Sequence, residues 1–221
     1  MLDACVMTLV RNGDDYIEPV LRVLLPHVPT VRVSVDRRSN DNTWNILERL
    51  SKEFHQLQVS SFTVKDPLTD LVAARNKLLE GFVETWGFIV DSDEYHYDIG
   101  RYKLTGGNAY AISSHAIWDS KRGHKASSRA IAGRIFRNSA QNTGTLEWRG
   151  KFGKEVLYRG DKPAFDEARV LQRKYIHFTH LKKDQWRYEL NQARIADGKH
   201  LYPLPPEIIQ IVKNIHGNRT N

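Results

Sequence analysis

The chain has 221 residues, of which 40% are hydrophobic and 10% aromatic. This length and composition can supply a full buried core for one globular domain, and they exclude a low-complexity or disordered chain. Lys and Arg number 33 against 26 Asp and Glu, a formal net charge of +7. That excess favours anionic partners such as nucleotides, nucleic acid or acidic lipid surfaces.

Cys5 is the only cysteine, which excludes an intramolecular disulfide and a multi-cysteine zinc site. A lone thiol in an apolar run is compatible with a reducing compartment. No apolar run has the length needed to span a bilayer, and the N-terminus carries no basic leader. We therefore expect no transmembrane segment and a cytoplasmic location.

Short apolar runs alternate with amphipathic stretches through the first half of the chain. The runs lie at residues 4–10, 31–35, 57–64 and 88–90, and stretches of helical length separate them at 16–25, 43–54 and 71–85. Strands joined by helix-length crossovers predict a parallel sheet with helices on both faces. Ligands of such sheets bind beyond the carboxyl ends of the strands.

The pattern changes after residue 97 to strand-like runs at 108–118, 132–137 and 170–179, separated by Gly-rich and basic loops. This half is predicted to be antiparallel or mixed. Residues 184–196 and 206–215 have helical periodicity, with Asp184 and Pro206 suited to helix starts. The whole chain is therefore predicted to be one α/β domain with a mixed sheet whose N-terminal half is parallel.

An acidic cluster follows the fourth apolar run. Asp91-Ser92-Asp93-Glu94 brings three carboxylates to the end of a strand with no basic residue among them. Carboxylates this close raise each other's pKa unless a cation neutralises them. Mg²⁺ and Mn²⁺ bind one or two carboxylates together with the phosphates of a substrate. The cluster therefore indicates nucleotide-diphosphate chemistry.

Two further motifs precede this cluster. The turn that begins at Asp36 and includes Ser39, Asp41 and Thr43 follows the second strand, where Asp36 can accept a hydrogen bond from a base or a ribose. A plain helix-capping turn explains the same residues equally well. Arg75, on the helix before the acidic strand, can bind a nucleotide or pair with a carboxylate; a solvent-facing helix charge is the alternative.

In this order, these motifs resemble a GT-A glycosyltransferase of the family 2 type. The resemblance rests on Val10-Arg11-Asn12, on the turn from Asp36 to Thr43, on Ala74-Arg75-Asn76 and on the acidic cluster, and it covers about the first hundred residues. It implies a Rossmann-like GT-A domain over residues 1–221, with a nucleotide-sugar-binding half at 1–97 and an acceptor-side half, including C-terminal helices, at 98–221.

The resemblance also implies site residues. The family's DXD-type acidic motif falls on Asp91 and Asp93, which would bind Mn²⁺ or Mg²⁺ and the ribose and diphosphate of the donor. Asp36 would hold the base, with Arg75 nearby. The positions assigned to the nucleotide sugar are Thr8, Arg11, Asp36, Arg75, Asp91 and Ser92.

The second half resembles a narrower group of these enzymes through residues 133–138 and 148–157. The likeness makes Glu155 the candidate general base, which would deprotonate an acceptor hydroxyl in an inverting transfer. Glu147 and Asp161 are the reserve candidates. A surface acid among basic neighbours is an equally weighted interpretation of Glu155.

Family members often place a His where a strand-like run ends in this chain at His177. The resemblance assigns His177 to the metal shell beside Asp93, with His180 as the weaker alternative because alternation places the two on opposite faces of a strand. A hydrogen-bonded structural His is the competing interpretation.

The loop at residues 121–129 carries four cations. It is suited either to closing over a donor diphosphate or to gripping the phosphates of a nucleic-acid or lipid-linked acceptor. Trp118, Trp148 and Trp186 are candidates for stacking on a sugar or base, without an assigned role.

The sequence thus favours a metal-dependent inverting glycosyltransferase, hexosyltransferase-like, that uses a nucleotide-diphosphate sugar. Its acceptor is open, with nucleic acid and phosphorylated glycan or lipid among the candidates. The alternatives are a glycosyltransferase acting on modified DNA bases, a sugar nucleotidyltransferase of similar topology, and a nucleic-acid-binding module without turnover.

Overall fold

The structure is a computed structural model that describes residues 1–119, 125–128, 132–138, 145–151, 155–178 and 202–217. The predicted helix at 184–196 lies outside these residues. In the described part of the chain no helix combines the length and the apolar character needed to cross a membrane.

Thirteen strands and four α-helices form the described fold. The helices are α1 (Ile17–Leu24), α2 (Thr43–Glu53), α3 (Pro67–Leu79) and α4 (Pro206–Gly217). The strands are β1 (Ala4–Val10), β2 (Thr30–Asp36), β3 (Leu57–Phe62), β4 (Trp86–Ile89), β5 (Glu94–Tyr95), β6 (Ala109–Asp119), β7 (Lys125–Ser128), β8 (Ala132–Arg137), β9 (Leu146–Arg149), β10 (Val156–Arg159), β11 (Lys162–Pro163), β12 (Arg169–His177) and β13 (Tyr202–Pro203).

Ten strands build the main sheet in the order β13-β7-β6-β8-β4-β1-β2-β3, and β12 pairs with both β5 and β6 outside this path. The strands β4, β1, β2 and β3 are parallel, as predicted for the first half. The second half is mixed, because β8 is antiparallel to β4 whereas β12 is parallel to β6. The two halves of the chain therefore share one sheet across the β4–β8 contact.

Both faces of β1 and β4 are buried and β2 is mostly buried, which accounts for their apolar sequences, whereas β3 lies at the edge of the sheet and is largely exposed. Along β1, Ala4 and Val6 pack in a core with α1 and α2, while the alternating residues Cys5 and Met7 pack with α3 on the other face. Helices thus cover both faces, as the sequence predicts. Burial raises the pKa of the Cys5 thiol to about 12, so this thiol is inert in the core.

A second, three-stranded sheet in the order β11-β10-β9 was not anticipated from the sequence. It packs beside α3, and Leu157 of β10 joins the smaller core with Leu78 and Phe136. This sheet carries the segment that contains Glu155, so its docking on α3 decides where that carboxylate lies.

Candidate functional site

The loops that follow β1 and β2 are bound to each other. The backbone N–H of Gly13 donates to Thr43 Oγ1 at 2.8 Å, and that of Asp14 donates to Asp41 Oδ2 at 3.0 Å. The other oxygen of Asp41 accepts from the backbone N–H of Thr43 at 3.1 Å. The polar turn after β2 therefore caps α2 and fixes the β1 loop, which is the structural role that the sequence left open.

Asp36 ends β2 at this edge and is 1% exposed. Arg38 donates to it from three groups, its backbone N–H at 3.0 Å, Nε at 3.1 Å and Nη2 at 2.6 Å, and Arg11 Nε lies 4.0 Å away. The hydrogen bond from Arg38 lowers the pKa of Asp36 despite its burial. The sequence missed Arg38 as the partner of Asp36, and a base that binds Asp36 would have to displace that guanidinium group.

The acidic cluster forms a tight turn after β4. The backbone N–H of Asp91 donates to Glu94 Oε2 at 3.1 Å, and the N–H of Glu94 donates to the Asp91 carbonyl at 3.0 Å. The exposed fraction of the side chain is 39% for Asp91, 5% for Asp93 and 0% for Glu94. The three carboxylates therefore occupy different environments, and Asp91 is the one open to solvent.

His177 reaches Asp93 from the end of β12. Strand β12 is antiparallel to β5 with His177 opposite Glu94, and the backbone N–H of Phe178 donates to the Asp93 carbonyl at 2.9 Å. This pairing places His177 Nε2 3.3 Å from Asp93 Oδ2, with both side chains nearly buried. The structure thus brings together the two residues predicted to hold the metal, whereas His180 lies outside the described residues.

Arg134 was not recognised from the sequence, although it belongs to the site. Its Nη2 forms a close ion pair with Glu94 Oε1 and lies 3.5 Å from Asp91 Oδ2 and 3.4 Å from Tyr175 Oη. The register brings it there, because Ile135 of β8 pairs with Phe88 of β4. The available signal was an Arg within a run of buried strand residues.

Two guanidinium groups stabilise the charge of Asp91. Burial by itself would raise the pKa of Asp91, but Arg134 and then Arg75 outweigh it, and the pKa is lowered. Burial raises the pKa of Glu94, which has no exposed surface. Asp91 is therefore the carboxylate of this cluster that combines solvent access with a stable negative charge.

Arg75 lies between this cluster and Glu155. Its Nε is 3.4 Å from Glu155 Oε1, and its guanidinium carbon lies 5.1 Å from the centre of the Trp148 ring. The Glu155 side chain is 11% exposed. The candidate base is therefore ion-paired at the edge of the site and is not a solvated surface acid.

The reserve candidates for the base form ion pairs elsewhere, on the three-stranded sheet β11-β10-β9, called the small sheet below. Glu147 pairs with Arg149 at 2.8 Å, and Asp161 lies 3.9 Å from the same guanidinium group. Neither approaches Arg75 in the contacts of the described residues. The geometry accordingly favours Glu155 among the three.

The remaining predicted residues divide into buried and undescribed ones. Thr8 and Ser92 are 0% and 7% exposed, so their contacts with a nucleotide stay predictions. Part of the basic loop, Lys125–Ser128, forms the strand β7, and its other residues lie outside the described ranges, as do Lys154 and Trp186.

The donor atoms around Asp93 suit a divalent cation. A carboxylate oxygen and an imidazole nitrogen in contact are ligands that Mn²⁺ accepts, and Mg²⁺ takes the carboxylate. No group of three or more His, Cys, Asp or Glu among the described residues can hold a metal ion. The protein would therefore supply two ligands and leave the rest to phosphate oxygens and water, as is usual for Mg²⁺ at nucleotide sites.

No protein-family model matches the chain, and no curated protein matches it by sequence. Among solved structures, the mannosyltransferase PcManGT from Pyrobaculum calidifontis, in complex with GDP-Man and Mn²⁺, aligns with 97% of this chain and 69% of its own, at 14% identity and a TM-score of 0.50. S. aureus TarS 1-349 in complex with UDP-GlcNAc aligns over 54% of this chain and 35% of its own, at 19% identity and a TM-score of 0.35. A 4-diphosphocytidyl-2C-methyl-D-erythritol synthase aligns over 62% and 76%, at 13% identity and a TM-score of 0.38.

The alignment with the TarS complex spans about a third of that protein's chain. At these identities the likeness is one of fold. The fold predicted from the sequence, a GT-A domain with a mixed sheet, is confirmed by the alignment with PcManGT over nearly the whole chain.

Proposed function

We propose that this protein transfers a sugar, a hexose in the simplest case, from a nucleotide-diphosphate sugar to an acceptor hydroxyl, with inversion at the anomeric carbon. The observation that carries the proposal is the contact between Asp93 and His177 at 3.3 Å, beside the more open Asp91 at the carboxyl edge of the parallel strands. PcManGT, which has the same fold, was solved with GDP-Man and Mn²⁺.

Asp93 and His177 would hold Mn²⁺ or Mg²⁺. When bound there, a divalent cation would stabilise the negative charge that develops on the departing nucleoside diphosphate. Asp91, with 39% of its side chain exposed, is available to the ribose or to water around the cation. Arg11, 55% exposed near Asp36, is placed to meet the nucleotide at the neighbouring loop.

Glu155 would accept the proton of the acceptor hydroxyl. Inverting transfer requires a carboxylate on the face opposite the leaving group, and Glu155 approaches the cluster from the small sheet, separated from Asp91 by Arg75. Arg75, which pairs with Glu155 at 3.4 Å, would orient the diphosphate. Fixed orientation and electrostatic stabilisation would supply most of the rate acceleration.

The proposal is tested by incubating the protein with Mn²⁺ and a panel of NDP-sugars and measuring release of the nucleoside diphosphate. Asp93→Asn should abolish the release, because it removes one of two protein ligands. Asp98→Asn is the matched control, since Asp98 pairs with Arg173 at 3.0 Å outside the cluster and should retain wild-type turnover.

Other outcomes would redirect the assignment. Pyrophosphate formed from an NTP and a sugar phosphate would replace transfer with nucleotidyl transfer. Salt-dependent retention on DNA with no turnover would favour a nucleic-acid-binding module, and with turnover it would favour a modified DNA base as acceptor. Full activity of Asp93→Asn would refute every catalytic role proposed for this edge.

A further inference from the structure

Resting on the proposed function, we infer that Arg134 is a built-in counter-ion of the acidic cluster, which keeps the metal site weak until a nucleoside diphosphate supplies further ligands. In this role Arg134 is a positioning residue that sets the order in which the cation and the donor bind.

Arg134 lies within the acidic cluster. It rises from β8, beside β4, and its side chain is only 13% exposed. Nη2 contacts Glu94, Asp91 and Tyr175, and the guanidinium carbon lies 5.9 Å from the centre of the Tyr175 ring. Arg134 is thus a permanent cation that lies nearly buried within the cluster.

Arg134 limits which carboxylates of the cluster can bind a metal. Glu94 is completely buried and held by the close ion pair with Arg134, so it is withdrawn from any cation. Asp91 faces the same guanidinium group at 3.5 Å, and Arg75 also acts on it. Asp93 contacts His177, with His177 Nε2 3.3 Å from Asp93 Oδ2.

The charges around the cation position do not cancel. The guanidinium groups of Arg134 and Arg75 face the three carboxylates of the cluster, and Arg75 also pairs with Glu155, so two negative charges remain in excess. Arg134 contacts the turn from β8 and reduces the attraction of this negative charge for a divalent cation. The diphosphate of a donor adds negative charge and oxygen ligands together, so the cation and the nucleotide should bind cooperatively.

The test measures free Mn²⁺ by electron paramagnetic resonance, without nucleotide and then with UDP or GDP. In the wild-type protein, the better-bound of these nucleotides should tighten Mn²⁺ binding about tenfold or more. Arg134→Gln should bind Mn²⁺ without nucleotide about tenfold more tightly than the wild type, because the repelling charge is gone. Arg173→Gln removes an Arg on β12 that pairs with Asp98 and should bind Mn²⁺ as the wild type does.

Glu94→Gln should change the Mn²⁺ affinity in the direction opposite to Arg134→Gln. It frees Arg134 to pair fully with Asp91, so Mn²⁺ binding without nucleotide should weaken. If Arg134 had a merely structural role, both variants would change the Mn²⁺ affinity in the same direction. If Arg134→Gln does not fold, because Glu94 is left buried without its partner, the double variant Glu94→Gln/Arg134→Gln removes both charges. It should bind Mn²⁺ more tightly than Glu94→Gln alone.

The inference is overturned if wild-type protein binds Mn²⁺ equally well with and without nucleotide, or if neither Arg134 variant binds it more tightly than its reference. Its failure differs from that of the proposed function. Sugar transfer with unchanged Mn²⁺ affinity in the Arg134 variants refutes only the counter-ion role, whereas absence of transfer and of nucleotide-dependent Mn²⁺ binding refutes both.

Discussion

One side chain of α3 makes two hydrogen bonds to the small sheet, and replacing it tests how Glu155 is positioned. Asn76 Nδ2 donates to the Trp148 carbonyl at 3.0 Å, and its Oδ1 accepts from the Trp148 backbone N–H at 2.7 Å. Asn76→Ala removes both hydrogen bonds and leaves a half-buried backbone N–H and C=O without their partner. We expect this variant to lose the docking of β9 on α3 before the rest of the fold.

The magnitude follows from the two bonds. Each contributes about 1 kcal/mol net, and unsatisfied groups that water partly reaches add a fraction of the usual penalty of about 1–3 kcal/mol. The expected loss is about 2–3 kcal/mol in the free energy of unfolding, or about 4–12 °C in Tm for a chain of this size. Because Trp148 packs on Arg75, the Arg75–Glu155 pair should loosen as well.

Urea denaturation measures the loss, and hydrogen exchange of the β9 and β10 amides locates it. Asn45→Ala is the matched control, since Asn45 makes one exposed hydrogen bond to Asn42 at 2.8 Å and should lose less than about 0.5 kcal/mol. The explanation is refuted if Asn76→Ala is no less stable than Asn45→Ala, or if exchange rises equally in all strands.

Three further predictions concern catalysis, packing and pH. Glu155→Gln should lower kcat about 10²–10⁴-fold while the affinity for the NDP-sugar is unchanged. Steady-state kinetics checks this, with Glu147→Gln as a control that should change neither kcat nor the affinity. Gly87→Ala should cost about 1–3 kcal/mol in urea denaturation, because a Cβ there would lie 2.1 Å from the buried Phe136 ring; an unchanged midpoint would contradict it. Burial lowers the pKa of His115 from its ordinary 6.5 to about 4, so its contribution to stability is full above pH 6.5 and is lost as the pH falls towards 4. The free energy of unfolding of His115→Gln, measured across that range, should fall less steeply than that of the wild type, and parallel curves would reject the assignment.

The order of strands and helices could be predicted because, in the first half of the chain, short apolar runs of strand length alternate with amphipathic stretches of helical length. Element ends were less accurate. The third helix was predicted at residues 71–85, whereas α3 is Pro67–Leu79. Gly81, with φ +64°, follows its end, and Pro67 suits the first helical turn. Capping and turn chemistry therefore decided what the hydrophobic period did not.

The meeting of Asp91, Asp93 and His177 was predictable in outline, because parallel strands end at one edge and the family resemblance places a His at the end of a later strand. Arg134 was not predictable, because its role depends on β8 lying antiparallel beside β4 with Ile135 opposite Phe88. Such a register is set by tertiary packing, and an Arg within an apolar strand does not by itself indicate which carboxylate it will meet. An isolated Arg in a strand is normally assigned to the surface.

The two guanidinium groups of the site differ in how firmly they are held, and the difference has consequences for the proposed reaction. Arg134 forms a close ion pair with Glu94, which is fully buried. Arg75 faces Glu155 at 3.4 Å without hydrogen-bond geometry, and its buried Nε has no hydrogen-bond partner among the described residues. A diphosphate oxygen is a stronger acceptor for that N–H than the present contact. Arg75 is therefore the cation that an arriving donor would engage, and engaging it would loosen its ion pair with the proposed base Glu155.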